Sequence, residues 1–397
     1  MERGVPPPPA WRALFLSFAD GVTSEGAKAS LSPIMAMLAD LRKGVMRDLT
    51  STQAGESSGL IPKATFAVLV GFGAPFFDHE RHNPALTTAE RPKHLVRLRP
   101  SGAAFPAIEW ADDDPGERAT VCRGEADLLL QFTGVSDHAV GRAAVEVANI
   151  IHDLDLPLET VGTYDGFQRD DGRSWIGFHD GVSNLEPSER RDGIECRGDP
   201  DWNRGGTYLA FLRLEIALGP WRALSKAEQE VIVGRDKLTG WPLESVGQED
   251  GQLRPEPLAR RPVEEISEWQ LRDAYYNPPE TASPLIEASH THRVNQNKAA
   301  ATTPSAHRIF RQGYEYLEEI GPDGPRLGLN FISFQNELYH LQQILGLRGW
   351  LGDVNFGGPT TPGSGEPEPI RLTSLRAGGF YVVPPREDPF PGARLFS

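Results

Sequence analysis

Two short stretches of this 397-residue chain carry side chains that could do redox or acid–base chemistry. The first reads His290-Thr-His292-Arg-Val-Asn295 and is followed, after a polar run, by Arg308-Ile-Phe-Arg311-Gln-Gly313-Tyr314. A neutral imidazole is a good axial ligand for haem iron. An arginine is permanently charged and offers a rigid fork of donors, which suits a developing oxyanion. The second stretch, Trp175-Ile-Gly177-Phe178-His179-Asp180-Gly181-Val-Ser-Asn184, sets one carboxylate between glycines. Read alone, it is a turn of the kind Asp-Gly dipeptides mark. Read alone, each histidine is a surface residue or a hydrogen-bonded core residue.

The elements around these stretches read as α+β. Phe66–Gly71, Ala126–Phe132 and Thr160–Phe167 have the length and apolar content of strands, and Ser136–His152 carries helical spacing through Val140, Ala143, Val147 and Ile150. The order recurs downstream, with strands at Tyr208–Ile216, Leu327–Phe334 and Gly379–Val383 and a helix over Glu337–Leu347. The spacing predicts a further helix over Pro33–Leu49, with Ser32 as N-cap. Residues 1–60 read as a peripheral extension, because the run Pro6–Pro9 favours an extended chain and Thr50–Gly59 is a Ser/Thr/Gly linker. Residues 183–202 and 249–262 read as irregular loops, the former running on from the aspartate turn. The expected division is therefore 1–60, an N-terminal half over 61–204 and a C-terminal half over 205–397.

A net charge of −15 argues against a nucleic-acid partner, where a basic footprint is expected. The two cysteines, Cys122 and Cys196, give neither a disulfide framework nor a thiolate metal site. No apolar run approaches the ~20 residues of a membrane span, and the N-terminus shows no secretory or twin-arginine pattern. The expectation is a cytoplasmic protein with no membrane partner; homo-oligomerisation is left open.

Taken together, the two stretches resemble the dye-decolourising peroxidases, a family of haem peroxidases. The family's Gly-x-x-Asp-Gly motif is matched by Gly177-Phe-His-Asp180-Gly181, its His-x-Arg-x-x-Asn segment by His290 to Asn295, and its Arg-Ile-x-Arg-x-Gly segment by Arg308 to Gly313. Further likeness lies in Gly205–Tyr208, in Gln229 through Gly234 to Gly240, in Gly328–Gln335 and in Gly379–Pro385, so that it runs in order over residues 66–385. The chain departs from the pattern at His292, where the family usually has arginine, and at Gln296 and Asn297, where Pro-Arg is common.

The resemblance implies two ferredoxin-like halves packed in the manner of a dimeric α+β barrel, with one haem b, and one iron, held mainly by the C-terminal half. It implies that His290, at the histidine position counted back from Asn295, is the metal ligand. His292 is the rival ligand, and otherwise a polar neighbour or a propionate contact. Asp180 would be the acid–base residue and Arg311 the charge that assists O–O cleavage. Gly177, Phe178 and Gly181 would line the cofactor, and Leu329 and Phe331, on one face of a strand by alternation, would line the distal pocket. His179 is either a second proton relay or a residue turned away, and Arg308 reads as a solvent-facing ion-pair partner. Glu366 and Glu368 are candidates for an acidic partner of the axial histidine, and Trp350 and Tyr339 for surface radical sites or plain packing.

The expected activity is a peroxidase that uses hydrogen peroxide to oxidise dyes and other aromatic donors. It should work best at acidic pH, because a carboxylate of reference pKa ~3.9 remains a base where an imidazole of ~6.5 is protonated. The alternative is a protein that binds haem or releases its iron without peroxidase turnover. A chlorite-decomposing enzyme is a weaker rival, since that reaction does not use the aspartate motif.

Overall fold

In the computed structural model, eight strands close on one another into a barrel, and two further pairs form separate ribbons. The structure describes residues 7–47, 57–58, 65–82, 84–98, 124–181, 184–185, 187–198, 200–258, 283–287, 289–294, 309–322, 324–345, 372–387 and 389–396. The strands are β1 (Ala10–Phe18), the short pair β2 (Met46–Arg47) and β3 (Ser57–Ser58), β4 (Phe66–Gly73), β5 (Leu128–Gly134), β6 (Leu158–Phe167), β7 (Thr207–Ile216), β8 (Leu243–Glu249), β9 (Gln252–Pro257), β10 (Phe310–Gly321), β11 (Gly324–Gln335) and β12 (Thr373–Val383). The helices are α1 (Ser24–Lys43), α2 (Asp137–Asp153), α3 (Pro187–Ile194), α4 (Leu218–Ala223), α5 (Lys226–Val233), α6 (Pro284–Glu287), α7 (His290–Arg293) and α8 (Tyr339–Leu345).

Eight strands form a closed barrel in the order β1-β5-β4-β12-β7-β11-β10-β6. Each half of the chain supplies four adjacent staves, β6-β1-β5-β4 and β12-β7-β11-β10. In each half the first strand lies between the third and the fourth, and helices follow its first and third strands. This is the β-α-β-β-α-β arrangement of a ferredoxin-like unit, and the barrel holds two of them.

Most barrel strands bury residues on both faces. One apolar cluster gathers Trp11, Ala13, Phe15, Leu129, Leu209, Phe211, Tyr314, Ile332, Phe334, Tyr381 and Val383, with Leu69 and Tyr164 packed against it. These residues come from all eight staves, so they fill the lumen. Their alternates, among them Leu14, Leu16, Leu130, Ala210, Leu212, Phe380 and Val382, face outward into a second cluster shared with α1, α2 and α8. Gln312, Tyr314 and Tyr316 of β10 are buried, and Tyr314 belongs to the lumen. Alternation therefore turns Arg311, Gly313 and Glu315 to the outer face.

Several expectations are corrected. The first half does not begin after a peripheral extension: β1 pairs with β5 on one side and β6 on the other, over Ala10–Phe18. The helix expected over Pro33–Leu49 is α1, which starts nine residues earlier and is capped by the Thr23 side chain and by Gly44 in the left-handed region. Pro33 lies inside it, because the buried stripe Ala27, Leu31, Ile34, Leu38 and Leu41 runs unbroken past that position. The loop expected at 249–262 begins instead as the β8–β9 hairpin, turned by Asp250 and Gly251 at φ 51° and 76°. Two positive φ values in an Asp-Gly pair are what a two-residue hairpin turn requires. Residues 183–202 contain α3 and a turn of 3₁₀ helix at Asp201–Asn203. Among the described residues no helix is long and apolar enough to cross a membrane.

Candidate active site

The outer face of β10 and β11 carries the site. Arg311 pairs with Ser333, Gly313 with Phe331 and Glu315 with Leu329. Residues directly opposite in an antiparallel pair share a face, so Arg311, Gly313, Glu315, Leu329 and Phe331 form one surface. Arg311, Gly313, Leu329 and Phe331 are only half-buried there, whereas the lumen residues beside them are closed off.

The Gly177–Gly181 turn lies over this surface. Gly177 has φ +88°, a left-handed conformation that a side chain strains, and a Cβ there would strike Lys237 Cε at 2.6 Å. The turn closes through Gly177 N–H to Ser174 O at 2.8 Å and Asp180 N–H to Gly172 O at 3.0 Å. Asp180 Oδ1 accepts from Gly181 N–H at 2.7 Å. Its Oδ2 lies against Gly313: a Cβ at 313 would collide with that oxygen and sit 3.2 Å from Leu329 Cδ1. The missing side chain of Gly313 is thus what lets the carboxylate, which is exposed, reach the sheet.

Asn184 ties the same segment to the arginine strand. Its Oδ1 accepts from Arg311 N–H at 2.9 Å and its Nδ2 donates to Arg311 O at 2.7 Å. A side-chain amide here completes both backbone bonds of a stave, so Asp180 and Arg311 are held in register by one residue.

Behind the turn stands Arg173. Its guanidinium donates to Gly177 O and Lys237 O at 2.7 Å each and to Leu238 O at 3.0 Å. It also meets His179 Nε2 at 2.9 Å. Burial, then the Arg173 charge, push the His179 imidazole below its ordinary range, which favours the neutral ring as acceptor. Phe178 is buried against Trp221, ring centroids 6.2 Å apart, with the Lys237 ammonium 5.7 Å from its own ring centre. Lys237 Nζ donates to Gln229 Oε1 of α5.

His290 opens α7, with Val294 N–H bonded to its carbonyl at 3.0 Å. The α7 segment sits on the C-terminus of α5. Gly234 ends α5 in the left-handed region, and a Cβ there would collide with Thr291 Oγ1 and Ser289 Oγ. Helix α5 therefore touches both the imidazole segment, through Gly234, and the aspartate turn, through Gln229 and Lys237. The side chain of His292 and residues Arg308, Gln296, Asn297, Trp350, Glu366 and Glu368 lie outside the described residues. Tyr339 is 38% exposed and its ring lies 5.5 Å from that of His94. Among the described residues no three His, Cys, Asp or Glu side chains gather to hold a bare metal ion.

The structure thus unites Asp180, Gly313 and Leu329 in contact and joins Arg311 to them through Asn184. Two members of the surface had no role in the sequence reading. Asn184 was visible at the end of the aspartate motif, but its partner is backbone 127 residues away. Glu315 gave no signal at all. It is 5% exposed; Oε1 accepts from Trp175 N–H at 3.2 Å, and Oε2 is buried without a hydrogen-bond partner among the described residues. Burial, then the negative charge of Asp180, push the Glu315 carboxyl up to about 8.

Two ferredoxin-like sheets closed into one barrel, with a carboxylate turn from the first half laid on an arginine-bearing outer strand of the second, define an α+β protein whose candidate site joins the two halves. Residues 171–387, more than half of the chain, match the family described as Dyp-type peroxidase, C-terminal, and the chain belongs to that family. A dye-decolorizing peroxidase of Thermobifida fusca is 28% identical over 331 residues, 79% of this chain and 65% of its own length. A deferrochelatase of Escherichia coli K12 is 26% identical over 308 residues, 73% of this chain and 62% of its own. The chain thus spans less than two thirds of these relatives. Ferric DtpA from Streptomyces lividans superposes with a TM-score of 0.66 at 20% identity, covering 98% of this chain and 93% of that one. A DyP-type peroxidase from Cellulomonas bogoriensis gives 0.64 at 19%, covering 100% and 95%.

Proposed function

We propose that this protein is a haem b-dependent peroxidase that uses hydrogen peroxide to oxidise dyes and other aromatic donors. The observation that carries the reading is the juxtaposition of Asp180 and Arg311 on one partly open surface, because simple haem carriage needs neither. The residues present suit such a group: Asp180 Oδ2 occupies the space that a side chain at 313 would take, Leu329 lies beside it and Phe331 lies opposite Gly313, and these side chains would lie against the haem. His290 would hold the iron, and the halves would act as units meeting near residues 204–205.

When bound, haem supplies a ferric centre that accepts peroxide and passes oxidising equivalents to the donor. The chain's own work is proton and charge management. Asp180 would accept the proton from one peroxide oxygen and hand it to the other, the one that leaves as water. Arg311 stabilises the negative charge that grows on that outer oxygen, a contribution of ~3 kcal/mol for such a preorganised donor. Asn184 and Gly313 keep the two groups at a fixed separation. Trp175, whose indole N–H donates to Tyr316 O at 3.1 Å, fastens the start of the turn to β10.

Release of iron from haem is a second reading, favoured by the relatives named deferrochelatase. The test is to load the purified protein with haem, add peroxide and an anthraquinone dye, and follow both dye bleaching and free porphyrin. Bleaching with intact haem supports the peroxidase. Metal-free porphyrin without bleaching supports iron release and overturns it.

A further inference from the structure

We propose that Glu315 is a positioning residue of this site: a neutral carboxylic acid, buried behind Asp180, whose ionisation places a second negative charge beside Asp180 and switches the site off. The geometry is specific. Asp180 lies against Gly313, and Glu315 is the next residue on that face, about 7 Å along the strand. On its two flanks Glu315 pairs with Leu329 and Phe167, both apolar. Among the described residues the charged groups that act on it are Asp180 and Asp171, which oppose its ionisation, and Arg169, which favours it. Arg169 is already engaged by Asp171 at 2.5 Å, so its charge is largely neutralised.

Oxygen Oε1 has a donor in Trp175 N–H, and Oε2 has none among the described residues. A buried carboxylate with one oxygen unsatisfied bears a desolvation cost that protonation of that oxygen removes. The displacement of this carboxyl to about 8 accords with that geometry. Its chain position adds a consequence. Its charged neighbour on the site is Asp180, so an ionised Glu315 sets a like charge beside the carboxylate proposed to move the peroxide proton.

The effect on turnover rests on the peroxidase reading, but the protonation state does not, and the experiment separates the two. Infrared titration of wild type and Glu315→Gln, each without and with haem, reads the carboxylic-acid carbonyl band directly. We expect a wild-type band that disappears with a midpoint near 8, is absent in Glu315→Gln, and has a lower midpoint in Asp180→Asn. The glutamine keeps an acceptor for Trp175 N–H, so the turn is preserved. In dye oxidation, Glu315→Gln should match wild type on the acid side and exceed it about ten-fold one pH unit above that midpoint. A purely structural glutamate would leave the alkaline limb unchanged in the glutamine variant. Absence of the band, titration in the ordinary carboxylate range, or an unaltered alkaline limb would each overturn the proposal. A normal band with no dye oxidation at any pH would instead count against the peroxidase reading.

Discussion

At the scale of single residues, the proposed peroxidase reading gives Asp180 and Arg311 different jobs, which need not matter equally. Asp180 is exposed, and water can take over part of a proton transfer in a polar pocket. No other described arginine lies on the outer face of β10 and β11 beside Gly313 to replace the Arg311 charge. Arg311→Leu should therefore slow the first spectral change after mixing with peroxide more than Asp180→Asn does, by on the order of ten-fold, or about 1.4 kcal/mol. Stopped-flow mixing compares the variants directly, and a slower Asp180→Asn would reverse the ranking. His290→Ala should lose most of the haem on gel filtration, with His292→Ala retaining it; the opposite result moves the ligand to His292. Glu315 gives a stability prediction with a definite sign. Its folded value is raised from 4.5 to about 8, so the folded state binds the extra proton across that window. Stability is complete below pH 4.5 and declines as pH rises towards 8, by up to about 1.4 kcal/mol per unit. Urea unfolding of Glu315→Gln should lack that part of the decline. The motifs of the family resemblance pointed to Asp180 and Arg311, which the structure brings onto one surface through Gly313 and Asn184. Glu315 was not legible, because a glutamate two places past a glycine looks like any solvent-facing strand residue until its neighbours are known.

At the scale of elements, the strand that matters most was the hardest to see. β10 puts Arg311, Gly313 and Glu315 on one face and Gln312, Tyr314 and Tyr316 on the other. Polar residues therefore occur on both, and the alternation that normally marks a strand is blurred by the site's own chemistry. β11 beside it, with Leu327, Leu329, Phe331 and Ile332, was read correctly because its two faces are more apolar. The aspartate turn depends on this pair for its position, and Asn184 is the clamp. Asn184→Ala removes an acceptor from Arg311 N–H and a donor from Arg311 O. Two net hydrogen bonds amount to about 1–3 kcal/mol. Thermal unfolding should show that loss, and the reaction with peroxide should slow although Asp180 and Arg311 are both present. Wild-type kinetics in Asn184→Ala would show that the turn keeps its place without the clamp. Helix α5 is the second organiser, since Gly234 at its end admits α7 and Gln229 within it holds Lys237. The Gln229–Gly240 likeness was visible as a motif, and its structural sense is this double contact.

At the scale of the whole molecule, the barrel makes the chain's beginning indispensable to a site near its end. The proline run and the linker over 50–59 drew attention away from Ala10–Phe18, which is apolar almost throughout because both its faces are buried. A strand buried on both faces shows no alternation, so periodicity cannot announce it. Phe15 is fully buried and meets Tyr164, Phe211 and Tyr381 at ring separations of 5.7, 5.3 and 6.1 Å. Those partners belong to both halves of the chain. Trp11 adds stacked contacts at 5.8 Å with Phe211 and with Tyr314, the residue between Gly313 and Glu315. Burial of Trp11, Leu14, Phe15, Leu16 and Phe18 contributes on the order of 10 kcal/mol, comparable with the whole stability of a domain. Deleting residues 1–18 should therefore leave no cooperative unfolding transition. Phe15→Ala in the full chain should unfold about 3–5 kcal/mol more easily, while its transition stays single because one barrel joins both halves. Calorimetry distinguishes the outcomes. A truncated protein that melts cooperatively and binds haem would make β1 an accessory strand. Two resolved transitions in Phe15→Ala would mean that the C-terminal sheet holds its shape without the N-terminal one.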